Sequence, residues 1–168
     1  MSPREWFQKA QKEGFVVGAF NVDSLEIFKA IVAAGKSKKS PIMLEFSHGE
    51  INFFGIENIV DLVENAREEA QIPILLNLDH APDYQSVKEA INAGFELVHF
   101  DGSKHSFDEN IQITKKIVDE ANPKGLLVEG EVDKVAGASE VHTENIDFEE
   151  LRKGYSDPEK TKRFVDET

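Results

Sequence analysis

Short apolar runs alternate with longer amphipathic segments about every 25–30 residues, the rhythm of strands and helices in βα units. The apolar runs are VVGAFN at 16–21, PIMLEFS at 41–47, IPILLNLDH at 72–80, LVHFD at 97–101 and LLVEGEV at 126–132. Segments of helical spacing lie at 25–38, 55–70, 84–93 and 108–121. Leu25, Phe28, Ile31 and Val32 make one apolar face, and Ile56, Ile59, Val60 and Val63 another. Ser2-Pro3 predicts an N-cap followed by proline at the first helical position, opening a helix through Gln11. Gly14 ends that helix, and Pro158 opens a last one through Glu167. The polar stretch 133–157 carries no regular pattern.

Such a succession predicts parallel strands joined by right-handed helical crossovers, which form either an open doubly wound sheet or a closed barrel. No G-x-G-x-x-G follows any strand and no G-x-x-x-x-G-K-[ST] loop occurs, so both common nucleotide-binding readings lack their fingerprint. The barrel has positive support. Each strand ends in a polar or ionisable residue: Asn21, Ser47, Asp79 with His80, Asp101, and Glu131. In (β/α)8 barrels the strand C-termini meet on one rim, where the chemistry is done.

Composition narrows the chemistry. The 168 residues suit one domain, residues 1–168, and can bury a core. Zero cysteines exclude disulfides, thiolate metal sites and thiol nucleophiles. Nineteen basic against 32 acidic residues give a net charge of −13, which argues against nucleic acid or an anionic membrane as partner. Mean hydropathy is −0.39, and no apolar run approaches a membrane span. The charged start lacks the apolar core of a secretory signal, so a cytoplasmic location is expected.

Asp79, His80, Asp101 and Glu131 would bring one imidazole and three carboxylates to a single barrel mouth. Crowded carboxylates repel unless a cation or shared protons neutralise them. A divalent ion held by histidine and carboxylates, zinc or a similar first-row metal, is the simplest remedy. The plainer alternative is that Ser47 and Asp101 cap the following helices. Glu129 and Glu131 are two apart and so share one face of their strand, where paired acids need a partner. His99 points the same way as Asp101, as a hydrogen-bonded core histidine. His48, His105 and His142 are expected in loops, at the surface. No lysine lies in a predicted strand, which removes a Schiff-base mechanism from the residues present. Ser-His-Asp chemistry lacks its G-x-S-x-G elbow.

Several segments in order resemble the class II, metal-dependent ketose-bisphosphate aldolases: GAFNVDSLE at 18–26, Ser47, LNLDH at 76–80, AGFELVHFDGSKHSFDENI at 93–111 and VEGE at 128–131. YSDPEKTKRFVDET at 155–168 is similar to the family's helix before its next strand. The resemblance implies a (β/α)8 barrel with zinc, or another divalent first-row metal, and a monovalent cation as a further cofactor. His80 matches a ligand of the catalytic metal, and Asp101 and Glu131 match the carboxylates lining that site. Asp79 matches the acid/base acting at the C3–C4 bond, and Asn21 and Ser47 match positions near the ketose-phosphate. Glu140 stands nearest, slightly displaced, to the mobile acid of the family's next loop. The implied substrate is a phosphorylated ketose, and the implied assembly is a homo-oligomer, dimer or tetramer. A complete barrel takes about 250 residues, so this chain is expected to supply the first five of eight βα units and to be inactive alone. The competing expectation is a non-catalytic short form, or a scaffold piece that needs a partner to close its sheet.

Overall fold

A computed structural model describes residues 1–133 and 155–168. Helix α1 (Pro3–Glu13) is N-capped by Ser2, with Glu5 completing a capping box, and ends at Gly14 in the left-handed region, φ 72°. Strand β1 (Gly18–Asn21) leads to α2 (Leu25–Lys38), and β2 (Ile42–Ser47) to α3 (His48–Phe54) and α4 (Ile56–Ala70). Strand β3 (Ile74–Ala81), α5 (Tyr84–Ala93), β4 (Leu97–Phe100), α6 (Phe107–Ala121) and β5 (Leu127–Gly130) follow, and α7 (Pro158–Glu167) comes last. Helix α3 was not predicted: it places His48 on a helix instead of a loop, and Glu50 accepts from the Ser47 N–H (2.7 Å) at its start. Strand β1 is shorter than its apolar run, and Val16 stands 85% exposed. Leu25 is likewise exposed, outside the buried face of α2 expected for it.

All five strands are parallel and stand in sequence order, β1-β2-β3-β4-β5. A doubly wound sheet reverses its order at a switch point, and this sheet does not. With right-handed crossovers, unreversed order puts every crossover helix on one face, as in the (β/α)8 barrel.

Residue parity divides the two faces. Even-numbered Ile42, Leu44, Phe46, Ile74, Leu76, Leu78, Val98 and Phe100 pack against Ile59, Val63, Val87, Ile91 and Ile117 of the helices. Odd-numbered Met43, Leu75 and Leu97 form a separate inner cluster with Leu127, covered by Val17 and by Trp6 and Phe7 of α1. Strand β3, flanked on both sides, is buried on both faces through Leu78, which explains its nearly unbroken apolar run.

One irregularity shapes everything above that inner cluster. Between β3 and β4 the register runs Leu78↔Val98 and then Ala81↔Phe100, so β3 carries one extra residue. His80 sits in this bulge at φ +45°, in left-handed backbone that costs a non-glycine residue about 1–2 kcal/mol. Strict alternation would turn Asp79 and His80 to opposite faces. The bulge lets both face inward.

Candidate active site

Along the inner face, side chains change from apolar to polar to ionisable toward the strand C-termini. Met43, Leu75 and Leu97 give way to Glu45, Asn77 and His99, and then to Ser47, Asp79, Asp101 and Glu131. Asp101 and Glu131 lie just past β4 and β5, where the Asp101 N–H donates to Ala81 O (3.0 Å) and the Glu131 N–H to Phe100 O (3.3 Å).

His80 lies at the centre. Its Nδ1 is 3.4 Å from Glu131 Oε2 and 3.8 Å from Asp101 Oδ2, and its Nε2 is 3.8 Å from Asp79 Oδ1. The His80 side chain is 54% exposed, while those of Asp79, Asp101 and Glu131 are 15–20% exposed. His99 lies beneath it, nearly buried, its ring centroid 4.3 Å from that of His80. His99 Nδ1 is 3.5 Å from Asp79 Oδ1, and His99 Nε2 is 3.6 Å from Glu131 Oε2. The bulge turns the His80 N–H toward His99 Nδ1 (3.4 Å). Asn21 joins from β1, donating through Nδ2 to Asp79 Oδ2 (2.9 Å).

The surroundings tune these groups. The His99 contact, with Asn21 and against burial, holds the Asp79 carboxyl below its ordinary value. Burial works against a charged His99, but Asp79, Glu129 and Glu131 outweigh it and raise its pKa. Burial also opposes ionisation of Asp101, yet hydrogen bonds from Ser103 Oγ (2.6 Å) and N–H (3.1 Å) bring its carboxyl below the usual range. Burial pushes Glu45 up, and the Asn77 hydrogen bond (2.9 Å) offsets this only in part. Asn77 Oδ1 is buried without a hydrogen-bond partner among the described residues.

From the helix side, Asn110 Nδ2 donates to Glu131 O (2.7 Å), and Thr114 Oγ1 donates to Asn110 Oδ1 (3.1 Å). Gly102 makes this possible, because a Cβ there would fall 1.9 Å from Asn110 Oδ1.

The donor set fits a divalent metal ion. His80, Asp101 and Glu131 each offer a ligand atom within 4.8 Å of the others, as do Asp79, His80 and His99. Two donors at 2.0–2.2 Å from one tetrahedral ion stand roughly 3.3–3.6 Å apart, close to the observed His80–Glu131 spacing. Among the described residues, the two imidazoles are the only basic side chains against Asp79, Asp101 and Glu131.

The predicted residues thus assemble in large part. Asp79, His80, Asp101, Glu131 and Asn21 meet in one cluster. Ser47 ends its strand in register with Asp79, with its N–H engaged in the α3 cap. Asp101 does not cap the following helix, which Ser106 caps; it closes a turn with Ser103 through Oδ1 while Oδ2 faces His80. His105 lies in a loop as expected, whereas Glu140 and His142 lie outside the described residues. His99, expected to share the inward face of Asp101 as a core histidine, is buried there and also belongs to the cluster. Glu45 and Asn77 went unnoticed, although the same parity marks them.

The sheet order and the ionisable rim place the chain among barrel proteins whose functional groups gather at the strand C-termini. The chain belongs to the class-II fructose-bisphosphate aldolase family, which it matches over residues 1–168. It is 37% identical over 161 residues to a fructose-bisphosphate aldolase of Helicobacter pylori, covering 95% of this chain and 51% of that protein. The fructose-bisphosphate aldolase of Geobacillus stearothermophilus is 34% identical over 163 residues, covering 91% of this chain and 57% of that protein. The chain therefore spans about half the length of the curated relatives it matches. Among solved structures, the YdjI aldolase from Escherichia coli K12 superposes with a TM-score of 0.80 at 25% identity, over 98% of this chain and 57% of that one. A putative fructose-1,6-biphosphate aldolase from Coccidioides immitis gives a TM-score of 0.80 at 28% identity with the same coverage.

Proposed function

We propose that the intact protein is a metal-dependent aldolase that reversibly cleaves a ketose 1,6-bisphosphate to dihydroxyacetone phosphate and an aldehyde phosphate. The observation that carries this reading is the bulged Asp79-His80 pair facing Asp101 and Glu131 on a barrel rim. Its family supports the reaction class, and its relatives are named for fructose bisphosphate.

His80, with Asp101 and Glu131, would hold zinc or another divalent first-row ion. When bound, such an ion supplies Lewis-acid polarisation of the ketose carbonyl and stabilises the negative charge that develops in cleavage. Asp79 takes the C4 hydroxyl proton as the C3–C4 bond breaks, the bond's electrons moving toward C2, and returns it in condensation. Its depressed pKa keeps it ionised and ready to accept that proton. Asn21 holds the Asp79 carboxylate on one side and, with Ser47, lies where the ketose-phosphate would bind. Glu140 is the proposed acid of the loop after β5. Cytoplasmic location, a role in carbohydrate metabolism, a homo-oligomeric assembly and a monovalent cation belong to the same proposal through the family.

The test uses the intact protein. Chelator is expected to abolish cleavage of fructose 1,6-bisphosphate and added zinc or cobalt to restore it, while borohydride with substrate leaves it active. A trapped substrate–lysine adduct would overturn the mechanism. A polypeptide of these 168 residues alone is expected to show no turnover, since β1 and β5 are each paired on one side only among the described residues.

A further inference from the structure

We infer that His99 is a positioning residue that braces Asp79 and Glu131 from beneath, fixing the proton-carrying carboxylate and a metal-side carboxylate in one arrangement. The inference rests on the reading of Asp79 as the proton carrier. His99 itself lies below the rim, shielded by the His80 ring, and so acts on the reaction through its neighbours.

The geometry is specific. The His99 side chain is 8% exposed and rises from the middle of β4, a strand buried along its length. Its two ring nitrogens address two different carboxylates, Nδ1 toward Asp79 Oδ1 and Nε2 toward Glu131 Oε2. Asp79 is thus held from both sides, by Asn21 on Oδ2 and by His99 on Oδ1. Glu131 has its backbone held by Asn110 and its carboxylate between two imidazoles. Contacts of 3.5–3.6 Å are long for hydrogen bonds, but they hold the ring between the two carboxylates. A planar ring is a suitable brace because its two nitrogens stand at a fixed separation, so the two carboxylates cannot drift independently. A histidine that merely filled the core would not need both nitrogens aimed at rim acids.

Although Nδ1 also faces the His80 N–H (3.4 Å), the two nitrogens serve different carboxylates, so the two roles can be separated. In the intact protein, His99→Phe keeps the ring and removes both contacts. Its kcat is expected to fall about 10–100-fold with little change in KM, and its cobalt(II) affinity, read from the visible absorbance, to weaken over a similar range. His99→Asn leaves an amide near the Nδ1 position and is expected to recover most of kcat. His99→Gln reaches toward the Nε2 position and is expected to recover cobalt affinity more than kcat. Circular dichroism and thermal melting check that each variant is folded. Wild-type kcat and cobalt affinity in His99→Phe would overturn the inference, as would equal rescue of both quantities by Asn and Gln. If His99→Phe does not fold, the Asn–Gln contrast decides alone. If the wild-type protein cleaves no ketose bisphosphate, the proposed function fails, and the brace is then judged on cobalt affinity: loss in Asn with retention in Gln supports it, and no difference sinks it.

Discussion

Where the strands begin, Met43, Leu75 and Leu97 fill the inner face under Trp6 and Phe7, and the charged groups nearby are matched. Arg67 donates through Nε to Ile74 O (2.8 Å) and pairs with Glu96, which also accepts from the Leu76 N–H (3.2 Å). Where the strands end, Asp79, Asp101 and Glu131 crowd around His80 with no lysine or arginine paired to them among the described residues, on a backbone held at positive φ. The first arrangement gives its carboxylates, Glu64 and Glu96, a guanidinium partner within the chain, as a stabilising end does. The second leaves an excess of negative charge and bears strain, the pattern of a site completed by something bound.

The largest effect expected from this contrast is on turnover at the strand ends. Asp79→Ala should lower kcat at least ~10²-fold, the scale of a lost general acid/base, while metal content and melting temperature stay close to wild type. His80→Ala should instead lose the metal first and activity as a consequence. Equal metal content and equal activity loss in both variants would show that the roles are misassigned.

At the opposite end the expected cost is in stability. Leu75, 3% exposed, packs with Met43 and Leu97 under α1, and Leu75→Ala should destabilise by about 2–5 kcal/mol in denaturant melts. Its kcat under folding conditions should stay near wild type. A matching fall in kcat would mean that the two ends are mechanically coupled.

The smallest effect separates stability from chemistry within the site's own end. Asp83, three residues past His80, accepts from the Ser86 N–H (2.8 Å) and caps α5. That hydrogen bond holds its carboxyl below the ordinary value. A lowered pKa in the folded state adds stability above the unfolded-state value, and this is lost as pH falls through the folded one. Asp83→Ala should therefore cost about 1 kcal/mol at neutral pH, and the difference should shrink below pH ~4. Urea melts at several pH values give both numbers, and a pH-independent difference would assign the loss to packing.

Much of this was legible in the sequence for identifiable reasons. The apolar runs and helical stripes announced βα units because burial on both faces of a parallel strand demands unbroken hydrophobicity. Val16 misled, since an apolar residue at a strand's approach reads the same whether or not a neighbour covers it. Helix α3 was hidden because HGEINFF is too short for a helical period to show. At the site, the polar strand ends named Asn21, Asp79, His80, Asp101 and Glu131, because a barrel gathers those ends on one rim.

What the sequence determined by itself was the set of residues at that rim: strand length and the two-residue period fix which side chains finish each strand and which share a face. The tertiary structure alone decided that adjacent Asp79 and His80 both face inward, because the bulge arises from pairing with β4 and no local pattern encodes it. It also decided that His99 reaches Asp79 and Glu131, since those contacts span three strands whose relative register is set by packing across the sheet.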